Sequence, residues 1–145
     1  MRAWEPLGAH LYCIEEDTVF FTVHGAVSVA EMATHLDRLE AIAARVGWVL
    51  TVYDSREGVG ISPQARRYVA ERMRARPFRA AGGVFGASFV IRTMVTLMVS
   101  AVSLFTKSVQ RVAYFKTEAE AVAYCVQMRE CFRAEVAAER QKASG

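Results

Sequence analysis

Cysteine is scarce in this sequence and follows no pattern. Cys13, Cys125 and Cys131 are odd in number and lack CxxC spacing, which argues against a disulfide framework and against a zinc ribbon. A reducing, cytoplasmic setting is therefore expected. His10, His24 and His35 show no HExxH or comparable spacing, so neither a metal site nor a metal cofactor is expected. Neither GxxxxGK[ST] nor GxGxxG occurs, so no nucleotide cofactor is expected either. Secretion is not expected, because Trp4, Glu5 and Pro6 interrupt the first ten residues where an apolar leader core would lie. Nor is there a low-complexity tract, and with 53% hydrophobic and 23% charged residues the chain is not a disordered tail. The net charge is only +3, although fifteen of the eighteen basic residues are arginine. No nucleic-acid partner is expected, since no aromatic side chains interleave with the arginines as a base-stacking platform requires.

What remains is 145 residues of ordinary globular composition, read as one domain over 1–145 with residues 141–145 as a frayed, flexible tail. Leu11–Ile14 and Val19–Val23 are β-branched and aromatic runs around the charged Glu15-Glu16-Asp17, the pattern of a hairpin. Ser28 with Glu31 makes a capping-box signature, after which Val29, Met32, Leu36, Leu39, Ala43 and Val46 recur at helical spacing up to Gly47. Trp48–Tyr53 is apolar along most of its length, as a central strand covered on both faces should be, and is expected to end at Asp54-Ser55. Gly58 and Gly60 then mark a loop, and Ser62-Pro63 a helix start whose inward stripe is Ala65, Val69 and Met73, stopped by Pro77. Ala80–Phe85 is a short strand, Ala87–Thr106 a helix, Gln110–Phe115 a strand. Thr117 with Glu120 caps a last helix with Ala121, Cys125, Met128, Phe132 and Val136 on one face. The order β-β-α-β-α-β-α-β-α calls for an α/β fold, a mixed sheet largely parallel after its first hairpin and flanked by helices.

Four segments in this order and spacing carry a resemblance: Val49–Asp54, Gly60–Arg66, Gly86–Thr93, and Tyr114-Phe115 with Thr117–Ala121. Together they resemble the STAS domain superfamily, and more closely its SpoIIAA-like branch, whose fold is similar to that of CRAL-TRIO lipid-exchange domains. The resemblance covers nearly the whole chain and implies a non-enzymatic regulatory or binding module of the anti-sigma factor antagonist type, with no catalytic residues. It also implies a phosphoacceptor serine near the start of the helix after the central strand, with Ser62 the nearest counterpart and Ser55 the second. The antagonists' Asp-Ser-Ser-Gly or Asp-Ser-Thr-Gly motif is absent, because Ile61 and Pro63 flank Ser62. From its residues alone Ser62 is first a helix cap, and Asp54 a turn or cap residue at a strand end. The SpoIIAA-like branch further implies membrane proximity and lipophilic ligands.

The segment Ala87–Thr106 is the most informative. Phe89, Met94, Leu97, Met98, Val102 and Phe105 leave it apolar on several sides, with only small hydroxyls and Lys107 opposite. A helix covering a sheet needs one apolar stripe, and each surplus large side chain left in water forgoes roughly 1.5–3 kcal/mol. The cover is the final helix with nearby loops, a second copy or protein partner, or a lipophilic ligand or bilayer surface. A membrane span is disfavoured by Arg92, placed near the middle of the segment, and by the glycines at 82, 83 and 86. Arg66, Arg67, Arg72, Arg74, Arg76 and Arg79 are a solvated basic face, or one that attracts an anionic membrane surface peripherally. Asp54, Gly58 and Gly60 form a loop at the strand end, where open α/β sheets commonly bind ligands. Two functions stay open: protein contact or self-association, and lipophilic-ligand binding at an anionic membrane surface.

Overall fold

The chain opens with three antiparallel neighbours, β1 (Glu5–Leu7), β2 (His10–Glu15) and β3 (Thr18–Val27). It then alternates through α1 (Val29–Val46), β4 (Val49–Ile61), α2 (Pro63–Ala75), β5 (Arg79–Phe85), α3 (Phe89–Phe105), β6 (Val109–Phe115) and α4 (Glu118–Ser144). All six strands form one sheet in chain order, with β3 to β6 parallel. The computed structural model describes residues 1–145. Strand-helix-strand crossovers keep one hand, so three successive steps in the same direction across the sheet put α1, α2 and α3 on one face.

β4 sorts its side chains by the two-residue period of a strand. Val49 joins Leu36, Leu39, Val69 and Met73 on the face of α1 to α3, whereas Leu50 and Val52 pack with Cys125, Met128 and Phe132 of α4 on the other. The helix starts are local chemistry. The Ser28 hydroxyl accepts from the Glu31 amide at 3.1 Å while the Glu31 carboxylate accepts from the Ser28 amide at 2.9 Å, and Thr117 and Glu120 repeat the arrangement. Ser62 and Ser88 cap α2 and α3, with Pro63 in the first turn of α2.

Five expectations are corrected. β1 adds an edge strand, where Pro6 is tolerated because an edge position need not donate to a neighbour. Gly58 and Gly60 belong to β4, not to a loop. Beyond Asp54, the last residue of β4 paired with β5, the strand runs on against the second half of β3, with register shifts on the way. Arg92 lies in the first turn of α3, which begins at Phe89, not near the helix middle. Residues 141–144 continue α4, since nothing after Gln141 breaks a helix before Gly145. Finally, α4 does not cover α3: the two helices lie on opposite faces of the sheet.

Candidate functional site

Between the sheet and the layer of α1, α2 and α3 lies a cavity of about 140 Å³, and of the 27 residues that line it 19 are hydrophobic. α3 forms its roof with Ile91, Val95, Met98, Val99 and Val102, and Ile61 closes the end of β4. Protein interiors hold few voids larger than a water molecule. At roughly 24 cal/mol per Å³, an empty space this size costs the fold at most about 3 kcal/mol.

Buried His35 and half-buried Tyr53 meet at the cavity wall. Tyr53 points from β4 toward α1, and its hydroxyl lies 2.8 Å from Nε2 of His35. Their rings meet edge to face at 5.6 Å, and Phe21 packs edge-on against His35 at 4.7 Å. Burial, helped by the nearby charges of Arg38 and His10, holds the His35 imidazole down at a pKa of about 3. Burial pushes the Tyr53 phenol up to about 12. Both side chains are neutral around pH 7. Of the other polar residues along the wall, Thr51 donates to the Ala81 carbonyl at 3.4 Å, Gln110 to the Phe78 carbonyl at 3.2 Å, and Arg111 to Glu135 at 2.7 Å, while Ser55 adds a second hydroxyl.

The apolar helix residues divide by face. Met98 and Val102 line the cavity, and Met94 rests on Gly60, its sulfur accepting from the Ile61 amide at 3.4 Å. Phe89, Leu97 and Phe105 face solvent at 81%, 67% and 71% exposure, as do Val90 and Leu104. Tyr114 ties the helix to β6: its hydroxyl donates to the Arg92 carbonyl and lies 2.8 Å from the Thr96 hydroxyl. No helix is long and apolar enough to cross a membrane.

The remaining sites named from the sequence are dispersed. Ser62 is half-buried and its hydroxyl accepts from the Ala65 amide at 3.1 Å, the geometry of a helix cap. Ser55 is buried within β4 and lines the cavity. Asp54 holds the Arg56 guanidinium at 2.9 and 2.7 Å. Gly58 and Gly60 line the cavity from β4. The basic run is no continuous free surface, because carboxylates of neighbouring elements take several of its members. Arg72 is bonded to Asp37 and Glu40, Arg76 reaches Glu40, and Arg79, on β5, turns to Glu135 and Glu139 of α4. Arg67 and Arg74 remain exposed on α2, with Arg66 half-buried. No three His, Cys, Asp or Glu side chains converge as metal ligands would.

His35 and Tyr53 were not among the sequence candidates. The signal for His35 is its place three residues after Met32 and four before Leu39, on the buried stripe of α1.

The molecule is thus a mixed α/β sheet with one helical layer roofing an apolar, polar-tipped cavity. No family model and no curated protein matches the chain. Among solved structures it is similar to an uncharacterized protein of the DUF3478 family with a SpoIIAA-like fold from Shewanella loihica, at 14% identity, 86% of this chain, 92% of that one and a TM-score of 0.49. It is also similar to the anti-sigma factor antagonist SpoIIAA in its unphosphorylated form, at 13% identity, 86% and 96% coverage and a TM-score of 0.47. Both carry the SpoIIAA type of fold that the sequence segments resemble. Identities and scores this low transfer no residue roles.

Proposed function

We propose that the protein is a non-catalytic binding module that takes a small apolar molecule into the cavity beneath α3, with α3 as the wall that moves to admit it. The cavity itself carries this reading: an apolar void whose cost a ligand offsets on filling it. The roof is also the least anchored helix of its layer, with only Ile91 and Val102 buried against five residues on α1. The test is titration with benzene, followed by methyl NMR of Ile61, Val95, Met98 and Val99. Saturable shifts confined to these residues, lost in Val99→Phe, support the proposal. Their absence up to the solubility limit of benzene overturns it.

A second reading rests on a different observation. The outer face of α3 leaves Phe89, Val90, Leu97, Leu104 and Phe105 in water, and exposed apolar patches of this kind mark interaction surfaces. On that reading the module acts by contact with a protein partner or a second copy, and a regulatory role follows from what the helix binds. Sedimentation of the wild type against Leu97→Glu tests self-association: a dimer dispersed by the substitution supports the reading, and a monomer in both cases removes the second copy. Membrane attraction has less support, because Arg72, Arg76 and Arg79 already face carboxylates. Salt-independent absence from anionic vesicles would remove it.

A further inference from the structure

The cavity is apolar except at the His35–Tyr53 pair and at Ser55, and the pair defines its ligand more closely than volume does. A hydroxyl oxygen has one proton to give and lone pairs to accept with, whereas a neutral imidazole nitrogen does one or the other. In the His35–Tyr53 contact one of these functions is used up. If the Tyr53 hydroxyl donates to Nε2, the phenol oxygen is still free to accept. If Nε2 carries the proton and donates, the phenol hydrogen is free to be given. Either tautomer leaves Tyr53 with a vacant hydrogen-bonding function on a wall otherwise lined, Ser55 apart, by apolar or already bonded groups.

We infer that the cavity is a site for a neutral, single-ring-sized molecule bearing one hydroxyl, a phenol or a compact alcohol, with its hydroxyl on Tyr53 and its apolar body under α3. A hydroxyl both gives and accepts from one atom, so it satisfies Tyr53 in both tautomers, whereas a carbonyl suits one. The size follows from the volume, since a dry cavity of about 150 Å³ is known to hold benzene. Carboxylates are excluded. The only cationic side chain along the wall, Arg111, is taken by Glu135, and an unpaired buried carboxylate is heavily penalised. Burial also keeps His35 from supplying a positive charge.

This inference rests on the cavity being a ligand site, and the experiment separates the two. Benzene, phenol and benzoate are titrated into the wild type and into Tyr53→Phe at pH 7, read by the methyl signals of Val95, Met98 and Val99. In the wild type benzene and phenol bind and benzoate leaves the signals unmoved. Tyr53→Phe weakens phenol roughly five- to tenfold, the worth of one neutral hydrogen bond, and leaves benzene within about twofold. Benzene binding with phenol unaffected by the substitution, or with both weakened equally, overturns the hydroxyl site and spares the cavity. So does benzoate binding as tightly as phenol. If neither benzene nor phenol binds the wild type, the cavity reading fails and this one with it. Should Tyr53→Phe not fold, the comparison is made with His35→Gln, which keeps a partner for the phenol. Unchanged phenol affinity and continued exclusion of benzoate there support the site, and benzoate uptake overturns it.

Discussion

Asp17 accepts two hydrogen bonds from Arg129, one from Nε and one from Nη2 at 2.7 Å each, joining positions 112 residues apart. The carboxylate sits in the turn between β2 and β3, only 6% exposed, and also accepts from the Trp48 indole at 2.9 Å and from Thr18. Through it the hairpin, the entry to β4 and α4 are fastened together, and the sheet's α4 face is closed at one end.

Asp17→Asn is expected to lower stability at pH 7 by about 2–3 kcal/mol, because Arg129 and Trp48 lose the charge that satisfies both. Burial would raise the Asp17 pKa, but hydrogen bonds from Arg129, Trp48 and Thr18 outweigh it and hold the group at about 2, below the ordinary 3.8. A carboxylate depressed in the fold stabilises it above its unfolded pKa and loses that contribution as pH falls toward the folded one. Urea denaturation at pH 7 and at pH 2.5 checks this: the gap between wild type and variant should be widest at pH 7 and narrow in acid. A constant gap would show that the substitution acts through packing alone.

His35 predicts a different pH window. Its folded pKa of about 3 lies below the ordinary 6.5, so the unfolded chain takes up a proton first as pH falls. The stabilisation is complete above about pH 6.5 and is lost progressively below it, at no more than about 1.4 kcal/mol per pH unit for one proton. His35→Gln retains a polar partner for Tyr53 without titrating. Between pH 6.5 and 4 the denaturation midpoint of the wild type should fall more steeply than that of the variant. Parallel curves would mean that the imidazole is as free to protonate in the fold as outside it.

The parts of this molecule legible in the sequence are those written within a few residues. Ser28 with Glu31 and Thr117 with Glu120 announce their helices because a capping box is complete in four positions. The Ala65, Val69 and Met73 stripe and the core place of Cys125 follow from helical period alone. The second half of β4 was not legible, since Arg56-Glu57-Gly58-Val59-Gly60 has loop composition and becomes strand only by pairing with His24–Val27. The same holds for the cavity. Its walls come from the inner faces of three helices and four strands, and no local pattern tells that Tyr53 will find His35 eighteen residues back. The excess of apolar residues on α3 was visible, but which of them face the sheet was settled by where the helix lands.

The two faces of α3 should separate by mutation. Val102 is 2% exposed and belongs to the core of the α1 to α3 layer, so Val102→Ala is expected to cost about 2 kcal/mol. Leu97 lies on the outer side, and Leu97→Glu should leave the thermal midpoint of dilute protein within the range of a surface change, about 0.5 kcal/mol. Differential scanning calorimetry decides. A large loss for Leu97→Glu at low concentration would mean that its side chain is sheltered in solution.

Gly60 has φ +118°, in the left-handed region that side chains avoid, and a Cβ there would sit 3.0 Å from the Met94 methyl. Gly25 has φ +78° with open space around the same atom. Both changes to alanine carry backbone strain of roughly 1–3 kcal/mol, but only the one at Gly60 also pushes on α3. Met94 ends in a flexible thioether, so it yields by swinging away instead of adding much to that cost. Gly60→Ala and Gly25→Ala should therefore be destabilised to a similar degree in urea, while only Gly60→Ala moves the Met94 methyl resonance and releases the Ile61 amide from the Met94 sulfur to faster hydrogen exchange. If both variants shift that methyl alike, Met94 does not rest on Gly60.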